Sequence, residues 1–448
     1  MTPTRTGSSG RHSAAGRNPS SRTRRRSTGR NTRSSKSMRS QISQKPARAK
    51  KAKLGRIDIS FFFLVIVLVT IGLIMVFSAS YATSLYENDS GLTLVKKQAM
   101  FVVMGLVAMY LLSYIPYQLY FRLYKLVYFG CLGLTALALA FPNAGNASTS
   151  GARRWISLGP LGTFQPSELM KFGLIIVFAA LISINYRQMN TFKKGIVPFF
   201  AYLIPVLGVI ALQRHMSCIM LMVLICGAMM FIAGSKVYYL VGLVPIGLLG
   251  LVILQAMGFN YIGTRIDTWM DPFSDITGST WQVVQSIYAI GSGGLFGVGL
   301  GNSTQKFLWV SEPQNDFIFA IVCEELGLIG ALAIILLFIL FVASGFSIAM
   351  RAPDKFSSMV VFGVVFQFGI QALLNIAVVS NAMPTTGIPL PFFSAGGSAT
   401  LMQLGQIGVV LNISRYCRPA ISRKKDPEKP EAKKNEQSSI KIISSRDL

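Results

Sequence analysis

Ten apolar stretches of about 20 residues dominate what this chain can fold into, because a helix of that length crosses the ~30 Å hydrocarbon core of a bilayer. They lie near 60–80, 99–117, 124–141, 167–184, 195–212, 216–233, 237–257, 317–348, 358–383 and 396–414. Lipid offers the backbone no hydrogen-bond partner, so each run is expected to satisfy itself as a helix. The expected fold class is an all-α polytopic membrane protein with about ten transmembrane helices. Composition agrees, since 52% hydrophobic and 13% charged residues with a mean hydropathy of +0.51 exclude a string of soluble domains.

A net charge of +26 suggests a polyanion-binding protein until it is divided along the chain. Residues 1–56 hold 17 Lys/Arg and no acid, residues 413–448 hold 10 against 5 acids, and residues 57–412 hold 16 against 12. Nucleic acid is thereby excluded as a partner of the body, and the basic tails read as orientation signals or contacts with anionic lipid. An even number of spans puts both termini on one side, and the Lys/Arg excess makes that side the cytoplasm. The tails, 1–56 and 418–448, have too few apolar residues to offset ordering and are expected to be disordered around a single membrane domain at 57–417. The first apolar run, from Phe61, is too long and too late for a cleaved signal. Five cysteines lack metal-ligand spacing, so neither a zinc site nor a disulfide framework is implied.

Two outer loops, 142–166 and 258–315, exceed the usual ~12–15 residue limit for plain connections and read as ordered and functional. In GARRWISLGPLGTFQPSELMK (151–171), two arginines precede a turn and a helix opening at Pro166, where a missing N–H costs nothing. Glu168 and Lys171 are spaced to pair on one helix face. The arginines are either solvated loop charges or an anion clamp, since guanidinium binds phosphate oxygens bidentately. Asp316 opens an apolar span, where it reads as an N-cap or as a general base acting on a hydroxyl. Glu324 and Glu325, two turns further on, need partners or water, and at least one should face the interior. Glycines between 291 and 301 permit tight turns and close backbone approach but form no nucleotide fingerprint. The segment 381–398, with three prolines and three glycines, is a stiff outer hairpin or the re-entrant wall of a cavity. His215, in a short outer turn, reads as a wet polar residue. Without a Ser/His/Asp set, HExxH, CxxC or Walker sequence, the open classes are glycosyl transfer on a lipid-linked substrate, transport, or scaffolding.

MVFSAS (75–80), GARRWI (151–156), QPSELMK (165–171), NDFIFAIVCEELG (315–327) and PTTGIPLPFFSAGGS (384–398) resemble, in order and spacing, the SEDS family of FtsW, RodA and SpoVE. The resemblance covers about 57–417, and the MVFSAS end of the first span is more similar to FtsW or SpoVE than to RodA. Two stretches depart from the family pattern: QRHMSC (213–218) replaces a Gln/Glu-Pro-Asp-Leu-Gly-Thr pattern, and SAGG (394–397) replaces Ser-Tyr-Gly-Gly.

The resemblance implies a peptidoglycan glycosyltransferase that polymerises lipid II by inverting transfer at the outer membrane face, for septal wall synthesis. It carries the family's essential aspartate onto Asp316 as the catalytic residue. Candidate substrate-binding residues are Arg153, Arg154, Trp155, Gln165, Glu168, Lys171, Arg265, Glu325 and Ser394. No metal ligand set is discernible, although a divalent cation, magnesium or manganese, could share the leaving-group charge. Implied partners are lipid II, a class B penicillin-binding protein and other divisome proteins, at the septum of a bacterial plasma membrane. The competing readings are a lipid II flippase and a scaffold for the transpeptidase.

Overall fold

The computed structural model describes residues 55–88, 91–141, 153–157, 159, 162–241, 261–276, 278, 280–307, 309–310 and 313–417. The expected tail disorder, most of the 237–257 span and Glu312 lie outside the described residues. The described chain forms α1 (Ile59–Asn88), α2 (Thr93–Leu112), α3 (Tyr124–Leu137), β1 (Ile156–Ser157), β2 (Thr163–Phe164), α4 (Pro166–Asn185), α5 (Val197–Leu212) and α6 (Met216–Ile232). It continues with α7 (Tyr261–Met270), α8 (Trp281–Gly293), α9 (Ile318–Arg351), α10 (Lys355–Val379) and α11 (Gly397–Ser414), with short helical turns between some of them.

Nine of the ten apolar stretches thus appear as helices, and six of these helices are long and apolar enough to cross a membrane. The protein is a multi-span membrane protein. Helix α4 lies at its centre, buried from Pro166 almost without interruption to Ile182. Peripheral helices turn Phe63, Val103, Leu126, Ile204 and Leu336 outward, the surface expected where lipid takes the place of water. The outer segment 258–315 is more than a loop: it contains α7 and α8, and α8 packs against α9 while burying Val283, Val284 and Ala289.

The apolar stretch at 317–348 is a broken helix. Gly327 has φ 67° and ψ −171°, which interrupts α9 one-third of the way along. Such a break inside a membrane would strand backbone groups at several kcal/mol each. Here the segment after α8 fills the gap: Val298 and Gly299 donate N–H bonds to the carbonyls of Glu324 and Glu325 (2.9 and 3.1 Å). In return, Leu328 and Ile329 donate to the carbonyls of Gly294 and Leu295 (2.9 and 3.2 Å). A Cβ on Gly293 would collide with the Cys323 carbonyl, and one on Gly297 with that of Glu325. The glycine-rich run is therefore what lets two backbones touch.

The 381–398 segment enters the helical body, so the outer-hairpin reading gives way to the re-entrant one. Its Phe392 carbonyl lies against Gly72, halfway along α1. Leu390, Phe392 and Phe393 are buried, and Phe392 stacks on Phe368 of α10 at 5.2 Å. Gln403 of α11 accepts the Phe392 N–H at 3.1 Å, satisfying an irregular backbone at depth.

The close approach gives a contrast within one helix. Gly291→Ala, a helical position facing open space, should be neutral or stabilise by up to ~1 kcal/mol. Gly293→Ala should cost roughly 1–3 kcal/mol or more by overpacking. Thermal unfolding of both variants in detergent checks this, and equal melting temperatures would contradict the packing described.

Candidate active site

The polar centre is built where the turn before α9 meets the re-entrant segment. Asn375 and Gln371 stand one turn apart on α10, on the same face. Asn375 Nδ2 donates to the carbonyls of Asp316 (2.7 Å) and Ile388 (2.9 Å), while Gln371 Nε2 donates to that of Pro389 (3.1 Å). One amide thus staples the Asp316 turn to the re-entrant segment. Gly387 has φ +68°, and a Cβ there would come within 3.2 Å of Asp316 Oδ2, so the carboxylate lies directly over this glycine. Asp316 sits in the turn at 313–317, half-buried. The residue flanking α9 is Phe317, with no side-chain cap, so the N-cap reading of Asp316 is replaced by a carboxylate at a loop junction.

Helix α7 holds the start of the same segment. Arg265 donates to the Thr385 carbonyl, and Trp269 Nε1, one turn later, to that of Asn381 at 3.0 Å. From the other side, Ser217 at the start of α6 donates to the Thr386 carbonyl. The segment's three successive residues Thr385, Thr386 and Gly387 therefore meet Arg265, Ser217 and Asp316.

Gly387, Ile388 and Pro389 form one wall of a small cleft whose other walls include Glu168, Lys171, His215, Ser217 and Gln371. Glu168 and Lys171 form a buried ion pair at 2.8 Å, the i,i+3 partnership expected on α4. His215 is enclosed at its Nδ1. Burial, and then the positive charges of Arg154 and Lys171, push its pKa down from 6.5 to about 3. It is thus a neutral imidazole at physiological pH, half-buried with one ring nitrogen enclosed, and so less open to water than its place in a turn suggests. Buried polar atoms around the cleft, among them Gln371 Oε1, Asn375 Oδ1 and Thr386 Oγ1, carry no hydrogen bond to protein. The cleft is narrow, about 20 Å³, so this polar wall would meet the edge of a ligand and not enclose one.

The other candidates divide. Arg154 donates to the carbonyls of Gln213 and Arg214, anchoring the turn that presents His215. Its neighbour Arg153 is exposed and reaches the Leu139 carbonyl at 3.4 Å, so the two arginines make separate contacts. Trp155 leads into the β1–β2 hairpin, which delivers the chain to Gln165 and α4. Gln165 is buried at the helix start, its carbonyl accepting from the Glu168 N–H. Ser394 is buried, with its carbonyl held by Gln98 Nε2 at 3.1 Å, and the next N–H, from Ala395, donates to Gln314 two residues before Asp316.

Glu325 belongs to a separate polar knot. Its carboxylate pairs with Lys306 Nζ at 3.0 Å and accepts from Ser78 Oγ at 2.6 and 2.8 Å. Lys306, an outer-loop cation by sequence, is 2% exposed. Glu324 accepts from Ser303 Oγ and from Thr304 through both N–H and Oγ (2.9 and 3.0 Å). Both carboxylates face inward, and together they bind the 301–306 chain to the first part of α9. Among the described residues no three His, Cys, Asp or Glu side chains gather as a metal site, so the residues present offer a divalent cation no ligand set of their own.

Residues 58–419 match the sequence profile of the FtsW/RodA/SpoVE family, described as cell cycle proteins. Over 361 residues the chain is 40% identical to the stage V sporulation protein E of Bacillus subtilis, covering 81% of this chain and 98% of that one. It is 33% identical, with the same coverages, to a probable peptidoglycan glycosyltransferase FtsW of Geobacter. A chain from a peptidoglycan synthase complex that coordinates polymerization and crosslinking superposes with a TM-score of 0.67 at 28% identity, covering 81% of this chain and 99% of that one. The rod shape determining protein RodA of Thermus thermophilus superposes with a TM-score of 0.59 at 26% identity, covering 81% and 98%.

Removing one member of the buried ion pair should be worse than removing both. Lys306→Met leaves the Glu325 charge uncompensated and should cost roughly 3–5 kcal/mol, most of it recovered in the Lys306→Met/Glu325→Gln double variant. Denaturation of the two variants in detergent checks this, and a single variant as stable as the parent would remove the pair from the account.

Proposed function

We propose that this chain, which belongs to the FtsW/RodA/SpoVE family of cell cycle proteins, is a peptidoglycan glycosyltransferase that polymerises lipid II from the outer membrane face. The observation that carries the reading is the Asp316 carboxylate, held over Gly387 by the Asn375 staple at the edge of a cleft that also contains Lys171. Asp316 is the base: it takes the proton of the acceptor's sugar hydroxyl as that oxygen attacks the anomeric carbon of the donor. Making a β link from an α-linked diphosphate inverts the carbon, which needs one displacement and no covalent enzyme intermediate.

The departing polyprenyl diphosphate gains negative charge as its bond breaks, and the fold sets Lys171 in the cleft with Gly387 and bonds Arg265 to Thr385. The Glu168 carboxylate holds Lys171 in place within a low-dielectric wall. His215 and Ser217 stand in the altered QRHMSC stretch and offer neutral hydrogen bonds to sugar hydroxyl or acetamido groups. Both termini lie in the cytoplasm on this reading, since the Lys/Arg excess flanks the first and last spans. A class B penicillin-binding protein is the partner, as the similarity to a chain of a polymerising and crosslinking synthase complex suggests. The setting is the division septum, with sporulation the second reading, favoured by the 40% identity to a stage V sporulation protein.

The test uses labelled lipid II and the purified protein with its transpeptidase partner in detergent, where no flipping is required. Glycan strands are expected from the parent, and a loss of at least ~100-fold, the size of a general-base contribution, from Asp316→Asn. Near-parental synthesis by Asp316→Asn would remove the base, and no strands from a verified complex would favour the flippase or scaffold reading.

A further inference from the structure

At the membrane face opposite Asp316, helix α4 ends and α10 begins. The two helices run from the Glu168 and Asn375 end of the molecule to Asn185 and Lys355 at the other. Between them opens a cleft of about 540 Å³ lined by Ser183 to Gln188, Lys194 and Lys355. Its charged lining is wholly cationic: Arg187, Lys194 and Lys355, with no carboxylate.

Other cations of that face vary in their partners, Lys125 and Lys236 lying over tyrosine rings. Arg351 is paired with Asp58 at 2.9 Å, and Arg415 stacks on Tyr114 with its guanidinium 4.2 Å from the ring centre. Arg187 and Lys194 form no ion pair among the described residues, and Lys355 has only the ring of Tyr186, at 4.4 Å. The neighbouring acid, Asp354, is turned to other work, accepting from the Ser357 N–H at 2.9 Å and from the Tyr117 hydroxyl at 2.5 Å. Three like charges around one opening repel unless an anion enters.

The rim shows which anion. Ile184, Tyr186 and Phe192 expose 56%, 46% and 56% of their surfaces beside the cations. A soluble phosphate has no use for that surface, whereas a phospholipid places acyl chains along apolar helix flanks and its phosphate among lysines and arginines. Basic clefts between spans on the cytoplasmic side have this chemistry, and the charge distribution assigns this face to the cytoplasm. We propose that the cleft formed by Arg187, Lys194 and Lys355 binds the phosphate headgroup of an anionic phospholipid. The site is separate from the glycosyl-transfer centre and does not depend on that reading.

Native mass spectrometry of the full-length protein, basic tail included, tests this by counting retained lipids as phosphatidylglycerol or cardiolipin is added in neutral detergent. The parent should retain anionic lipid over phosphatidylcholine. Arg187→Gln/Lys194→Gln/Lys355→Gln should bind at least about tenfold more weakly, since each cation near an anionic headgroup adds to the attraction. The tail, unchanged in every variant, contributes equally to each. Lys193→Gln, adjacent in sequence but outside the lining, should bind as the parent does, and the three single Gln variants keep the test open if the triple variant does not fold. Equal retention by the lining variants and the parent would overturn the proposal. So would displacement of the lipid by millimolar inorganic phosphate, which would make this a site for a soluble anion.

Discussion

Lipid supplies no hydrogen bonds, and the candidate site exists because the fold breaks a transmembrane helix without leaving its backbone unpaired. Gly327 ends the first part of α9 after about two and a half turns. The 294–299 segment repairs the break through four backbone hydrogen bonds, two in each direction. Glu324 and Glu325 then clip the same first part to the 301–306 chain and, through Ser78, to α1. A short, anchored helix results, and the turn that carries Asp316 is its leading end.

Two buried ion pairs serve different ends. Lys306–Glu325 is enclosed on all sides by groups that bond both partners, which suits a structural knot. Glu168–Lys171 is nearly as buried, yet it lines a cleft shared with Gly387 and His215. A carboxylate whose oxygens are committed to Ser78 and Lys306 has little left for substrate, so Glu325 is better placed to hold the site than to bind in it.

The helices could be read from the sequence because span length is fixed by bilayer thickness, and Glu168 with Lys171 because a three-residue spacing has one meaning on a helix. The break at Gly327 was hidden, since a single glycine inside an apolar run looks like any other. Helices α7 and α8 look like loop in the sequence because short amphipathic segments between Gly and Pro punctuation lack the length signal. Arg153 and Arg154 are equivalent in sequence, and only the position of the 213–214 turn separates them. Gln371 and Asn375 had a usable signal: two amides at i and i+4 inside an apolar span rarely lack an interior task. His215 gave none, because a turn in the chain says nothing of what folds over it.

In the proposed mechanism Asp316 works from a junction whose geometry is set by one amide of α10. The direct measurement is strand synthesis from lipid II by Asn375→Ala, with its transpeptidase partner and an intact Asp316, beside a check of folding by melting temperature. Misplacing the base by about 1 Å should lower the rate by ~100-fold in a protein that still folds and still binds its partner. A folded Asn375→Ala variant that polymerises at the parental rate would contradict the account.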